Sequence, residues 1–276
     1  MTTPDDLRAA LRADRCVTIA FTDPCAPRRP LELEIYQPAT HTPGRPVVLA
    51  LPSSTRDGKG IRDAWMPAAD RHGLLVVAIN FPKSTWSGRH GYNEGNVTTA
   101  DGTPLPRARW TLNIPAHVFA LLQQAGLTTR AKANLWGHSA GAQFAHRMLA
   151  CTHQDSFEIV GAANAGLYTM PTLDAPYPAG LGGIGLTEAD LVRYLAYKLE
   201  IIAGDQDLGP DHPETRDAAL AQGANRLLRA GTFLARGQAE AARLGVPCAW
   251  QVIIAPDIAH RGKLMAQFTA RHWFGD

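Results

Sequence analysis

The chain has 276 residues, 45% hydrophobic and 19% charged, and its 27 basic against 25 acidic side chains leave a formal net charge of +2. That is enough apolar material for one sizeable core, which excludes a disordered, collagen-like or coiled-coil chain. The near-neutral balance lacks the basic face that nucleic-acid binding needs, and the apolar runs are of strand length, far short of the roughly 20 residues that span a bilayer.

In chain order, the opening MTTPDDLRAALRADRC is polar and has no apolar signal core, so a cytoplasmic location is expected. The four scattered cysteines, Cys16, Cys25, Cys151 and Cys248, form no CxxC pair and are read as reduced; a Cys16–Cys25 bridge would require export. Two hairpin-like segments, 16–22 and 31–36, come first. Apolar runs then follow at 47–51, 74–80, 133–137, 159–163, 199–203 and 250–254. Helix-like segments at 60–71, 114–124, 140–151, 188–198, 218–244 and 262–273 are interspersed among them. Near-continuous apolar strands interspersed with helices predict an α/β fold, a mostly parallel sheet covered on both faces with an antiparallel hairpin edge. With no repeat and no linker, the chain reads as one domain, residues 1–276. Gly223, Gly231 and Gly237 predict that the 218–244 helix is broken.

Two long irregular stretches interrupt the pattern, 82–109 and 168–187, and the second opens a lid-like insertion over about 168–198. Aromatics in such loops fit a substrate rim, so Trp86, Tyr92 and Tyr168 are the candidate pocket wall. Thr187-x-x-Asp190 is spaced to cap the helix that follows.

Residues 137–141 read Gly-His-Ser-Ala-Gly, a G-x-S-x-G between an apolar strand and a helical pattern. A strand-to-helix turn this sharp leaves no room for flanking side chains, hence the two glycines, and it lifts the serine hydroxyl clear of the sheet. Ser139 is therefore the candidate nucleophile. A serine needs a base, itself oriented by an acid. The expected chain order is Ser, Asp, His. The acid should follow the 199–203 strand, where Asp205 and Asp207 compete. Asp207 is preferred, because its loop, with Pro210 shortly after, can bend back; Asp205 is left to cap the turn. The base should follow the last strand, and His260 does. His146, His212 and His272 are read as structural or surface residues. The oxyanion donors are the N–H of Ala140 and, from the turn after 47–51, that of Ser54.

With these residues in place, the chain resembles the α/β-hydrolase superfamily of serine esterases over nearly its whole length. More narrowly, it is similar to the bacterial poly(3-hydroxybutyrate) depolymerase-like group. The matching stretches are Asp63-Ala64-Trp65 with Pro67, Phe81-Pro82, Gly91-Tyr92-Asn93 with Gly95-Asn96-Val97, and the run from Gly137 to Arg147. The Gly-x-x-Arg of that group is matched by Gly223 to Arg226, with Arg229 beyond. The chain departs from the group at Pro52-Ser53 and at Ala255-Pro256-Asp257.

Other signals carry less. Gly180 to Gly185 spells GxGxxG but follows a loop rather than a strand, so no dinucleotide site is expected. His153 with Asp155 reads as a solvated turn, and no metal or other cofactor is expected. Arg28-Arg29 reads as a solvated spot, and Arg107 or Arg109 could reach an anionic substrate. The reading is a serine hydrolase of a carboxylic ester, acting on a small-molecule or oligomeric substrate. Amide, peptide or thioester cleavage, or acyl transfer, is the alternative with the same residues. A non-catalytic binding protein on the same fold is the remote one.

Overall fold

A computed structural model describes residues 2–152, 155–209 and 216–276. His153, Pro210 and His212 lie outside the described residues. The eight strands are β1 (Cys16–Phe21), β2 (Leu31–Tyr36), β3 (Val47–Leu51), β4 (Leu75–Asn80), β5 (Ala133–His138), β6 (Phe157–Ala163), β7 (Leu199–Gly204) and β8 (Gln251–Ala255). They form one sheet in the order β1-β2-β4-β3-β5-β6-β7-β8. β1 pairs antiparallel with β2, and β2 with β4; every other pairing is parallel. The fully buried strands β3, β4 and β5 are the continuous apolar runs of the sequence, because a parallel sheet is covered on both sides.

The pleat sorts the side chains. Val48, Ala50, Val76, Ala78 and Trp136 point to one face, where α2 (Gly58–His72) and α8 (Gly262–Phe274) cover them. Leu49, Leu51, Val77, Ile79 and Leu135 point to the other. There they meet α3 (Ile114–Gln124), α4 (Ala140–Cys151), α5 (Glu188–Ala196) and α7 (Arg226–Leu244). Thr187 and Asp190 form the anticipated capping box at the start of α5.

One helix precedes the elements expected from the sequence. α1 (Pro4–Ala13) is capped by Thr3 and Asp6, opens on a proline and buries Leu7 and Leu11. The Thr-Pro-x-Asp start and the i, i+4 leucines were its signal. The expected 218–244 helix is broken as predicted, but only once. A short α6 (Arg216–Leu220) ends before Gly223, which sits at φ 152°, and α7 then runs unbroken through Gly231 and Gly237. All four cysteines are free thiols. No helix among the described residues is long and apolar enough to cross a membrane.

The two glycines inside α7 differ in surroundings. A Cβ at Gly231 meets nothing within 4 Å, whereas at Gly237 it would lie 2.6 Å from the Trp250 ring. Gly231→Ala is expected to stabilise the protein by about 0.5–1 kcal/mol through helix propensity. Gly237→Ala should destabilise it by about 1–3 kcal/mol despite the same gain, because the ring has to move. Urea unfolding of the two variants checks the opposite signs.

Candidate active site

The turn between β5 and α4 is built by close backbone approach. Ser139 has φ 56° and ψ −111°, a conformation that a side-chain-bearing residue adopts only where its surroundings enforce it. A Cβ at Gly137 would lie 2.2 Å from the Gly141 carbonyl oxygen, and one at Gly141 would lie 2.2 Å from that of Leu51. Both positions therefore demand glycine. The Ser139 N–H donates to the Ala163 carbonyl at 2.9 Å, which ties the turn to the end of β6.

The loops after β7 and β8 bring two further groups to Ser139. Its hydroxyl lies 3.1 Å from His260 Nε2, and His260 Nδ1 lies 2.7 Å from Asp207 Oδ2. Asp207 is 1% exposed, and its other oxygen accepts from Arg226 at 2.9 Å. Burial pushes the Asp207 carboxyl up, but the His260 hydrogen bond and the charges of His260 and Arg226 more than offset it and hold it below the usual range. An ionised Asp207 can only accept, so His260 donates from Nδ1 and its Nε2 is left to accept from Ser139. The arrangement can withdraw a proton from the hydroxyl and hold the resulting imidazolium.

A cleft of about 440 Å³ opens beside Ser139, lined by Ser53, Ser54, Thr55, Asp57, His138, His260 and Lys263 among others. The Ser54 N–H makes no hydrogen bond to another described residue. The Ala140 N–H is the first of α4 and has no acceptor within the helix. His138 is buried beneath the first turn of α8, with its ring 4.7 Å from that of His260. Burial, helped by the His260 charge, pushes it down to about 3, so it stays neutral beside His260. Among the described residues no cluster of three or more His, Cys, Asp or Glu side chains is placed to hold a metal ion.

The aromatic rim does not form. Trp86, Tyr92 and Tyr168 are each 0% exposed and belong to the core, since rings this large are buried wherever a long loop folds down on the body. Trp86 donates to the Pro30 carbonyl at 2.9 Å, and Arg29, expected to be solvated, lies over its ring at 4.0 Å. The Tyr92 hydroxyl donates to the Pro52 carbonyl at 2.6 Å and so anchors the turn that carries Ser54. Tyr168 stacks on Phe233 at 4.4 Å. The GxGxxG stretch is part of the same packing, with Leu181 and Ile184 buried. Arg107 donates to the Gly185 carbonyl at 2.7 Å and joins the two long loops instead of facing a substrate. Among the described residues Asp205 Oδ1 has no hydrogen-bond partner, so the expected capping by that residue is not seen.

Several residues brace the site without any local sequence signal for that role. Arg56 donates to the carbonyls of Phe81, Trp86 and Gly88 and covers the Tyr92 ring at 4.0 Å. Arg147 donates to Thr169 Oγ1 at 2.7 Å and to the Asn93 carbonyl at 2.6 Å. Arg226, noted only as part of a Gly-x-x-Arg match, pairs with Asp207. His146 accepts the Thr169 N–H at 3.0 Å, and His272 meets Glu200 at 3.2 Å, both structural as anticipated.

Among known proteins, no family model and no curated protein matches the chain. Solved structures do. The poly(3-hydroxybutyrate) depolymerase LpqC from Bordetella parapertussis is 41% identical, with a TM-score of 0.93, over 99% of this chain and 95% of that one. The chain belongs to the α/β-hydrolase superfamily. Within the superfamily it groups with that depolymerase. Poly(aspartic acid) hydrolase-1 from Sphingomonas sp. KT-1 is 30% identical, with a TM-score of 0.87, over 93% of this α/β-hydrolase and 97% of its own length. An S-formylglutathione hydrolase from Agrobacterium tumefaciens, at 14% identity and a TM-score of 0.59 over 93% of this chain and 92% of its own, shares the fold alone.

The depressed Asp207 carboxyl links stability to pH. Its contribution is fully present above the ordinary value of 3.8 and is lost as the pH falls from there through the lower folded value. Asp207→Asn should therefore be less stable than the wild type near neutrality and lose less on acidification. Urea unfolding from about pH 6 to about pH 2 reads this difference; parallel curves would contradict it.

Proposed function

We propose that this α/β-hydrolase cleaves carboxylic esters through an acyl-enzyme on Ser139. The observation that carries the reading is the unbroken hydrogen-bond chain from the Ser139 hydroxyl through His260 to a buried, ionised Asp207 at the mouth of a cleft. Ser139 Oγ attacks the ester carbonyl while His260 Nε2 takes its proton. The Ala140 and Ser54 N–H groups hold the oxyanion that forms, with α4 adding the positive end of its dipole. Asp207 orients His260 and stabilises the imidazolium, and His260 together with Arg226 keeps that carboxylate ionised. The imidazolium then protonates the departing alcohol. Water, deprotonated by His260, attacks the acyl-enzyme and releases the acid and free Ser139.

The relative from Bordetella is a poly(3-hydroxybutyrate) depolymerase, which supports an ester bond and makes short hydroxyacid oligomers natural test substrates. The relative from Sphingomonas is a poly(aspartic acid) hydrolase, and poly(aspartic acid) is a chain of amide bonds, so amide cleavage by the same residues is the second reading.

A fluorophosphonate probe should label the wild type and not Ser139→Ala, and turnover of a panel of aryl esters and ester oligomers should fall in that variant on the order of 10⁶-fold. Asp207→Asn should cost on the order of 10⁴-fold in kcat, and Asp205→Asn should change it by less than about threefold. A folded wild type that resists the probe ends the serine-hydrolase reading. Loss of turnover in Asp205→Asn with Asp207→Asn intact reassigns the acid.

A further inference from the structure

The loops that carry Ser139, Asp207 and His260 leave three different strands; one buried residue hydrogen-bonds two of them, and the residue before it holds the third. Asn164 follows β6 and is 1% exposed. The carbonyl of its neighbour Ala163 accepts the Ser139 N–H at 2.9 Å. Its own side-chain oxygen accepts the Gly204 N–H at 2.8 Å, three residues before Asp207. Its side-chain amide donates to the Ala259 carbonyl at 3.3 Å, in the residue directly before His260.

The neighbouring backbone leaves this junction little slack. Asn164 N–H donates to the Ile202 carbonyl at 2.8 Å, and Gln206 N–H to that of Ile258 at 3.2 Å. A Cβ at Gly204 would lie 2.1 Å from the Ile258 oxygen. The site requires a short side chain that both accepts and donates, on a backbone at φ 49°. Asparagine meets all three conditions, because it tolerates the left-handed region and carries both an amide oxygen and an amide nitrogen. Aspartate has no donor, and glycine has neither group.

We propose that Asn164 is a positioning residue, a strut that sets the acid loop against the base loop and so fixes the His260–Asp207 hydrogen bond relative to Ser139. The proposal rests on the reading of those three residues as the catalytic set. Its effect falls on the alignment of His260, not on the cleft, which Asn164 does not line.

The test is Asn164→Gly, which keeps the left-handed backbone and removes both side-chain hydrogen bonds. Two readouts are taken, steady-state kinetics and the low-field proton NMR signal of His260 Nδ1–H, assigned by its loss in Asp207→Asn. The expected result is a fall in kcat on the order of 100-fold with KM within about threefold, and a low-field signal shifted or broadened beyond detection. A kcat within about threefold of wild type, or an unchanged signal, overturns the proposal, even if the melting temperature falls. Should Asn164→Gly not fold, Asn164→Asp decides by the same readouts, since it keeps the acceptor for Gly204 and sets a carboxylate oxygen against the Ala259 carbonyl. If the wild type turns over no ester or amide, the proposed function fails, while the NMR comparison still tests the strut.

Discussion

The backbone of α4 lies against the end of β3 so closely that no side chain fits between them. At Gly141 a Cβ would meet the Leu51 and Pro52 carbonyl oxygens at 2.2 and 2.7 Å. That contact sets the arrangement of the cleft. It exists because the sheet order places β3 beside β5, so the turn after β3 and the turn after β5 open at the same edge. One turn carries Ser54, the other Ser139 and Ala140. The strained φ of Ser139 is sustained because β5, which leads into it, and its neighbour β3 are buried on both faces and cannot relax.

Long loops threaten this geometry, since each loses conformational entropy when it is ordered. The structure answers with buried and half-buried guanidinium groups that donate to backbone carbonyls. Arg56 gathers the loop after β4, Arg147 joins that loop to the segment after β6, and Arg229 holds the Gly166 carbonyl at 2.7 Å. A hydrogen bond from a charged donor contributes about 1.5–3 kcal/mol, more than a neutral one. Arginine suits the task because its planar fork reaches several carbonyls at once. The aromatic rings of the same loops complete the packing, with Tyr92 fixing Pro52 and Tyr168 stacked on Phe233. These arginines and aromatics outside the nucleophile turn thus act on the site at one remove, by holding its loops.

The electrostatics around His260 are one-sided. Asp207, ionised and buried, meets Nδ1, and the other neighbouring ring, His138, is kept neutral by burial. An imidazolium formed at His260 therefore finds a negative partner and no adjacent protonated histidine. That neutrality also explains how His138 can be tolerated with both ring nitrogens unpartnered among the described residues, because a neutral imidazole costs far less to bury than a charged one.

Much of the molecule was legible from local pattern. Apolar runs of strand length are dictated by burial on both faces, and the G-x-S-x-G spells a turn whose glycines are demanded by backbone contacts. The acid and base candidates follow from their places after particular strands, and the distances among Ser139, His260 and Asp207 agree with that order. The unbroken course of α7 through Gly231 and Gly237 was not legible, since propensity favoured a break and packing on Trp250 overrode it. Nor was the fate of Trp86, Tyr92 and Tyr168, because a loop aromatic reads the same whether it lines a cleft or fills a core. Arg226 and Asn164 lie far in sequence from the groups they hold. By itself, then, the sequence determined the fold class and the residue types of the site, since both are written in short-range periodicity and spacing. Only the tertiary structure decided which buried arginines, aromatics and amides brace that site, because those contacts close across tens of residues and leave no local signature.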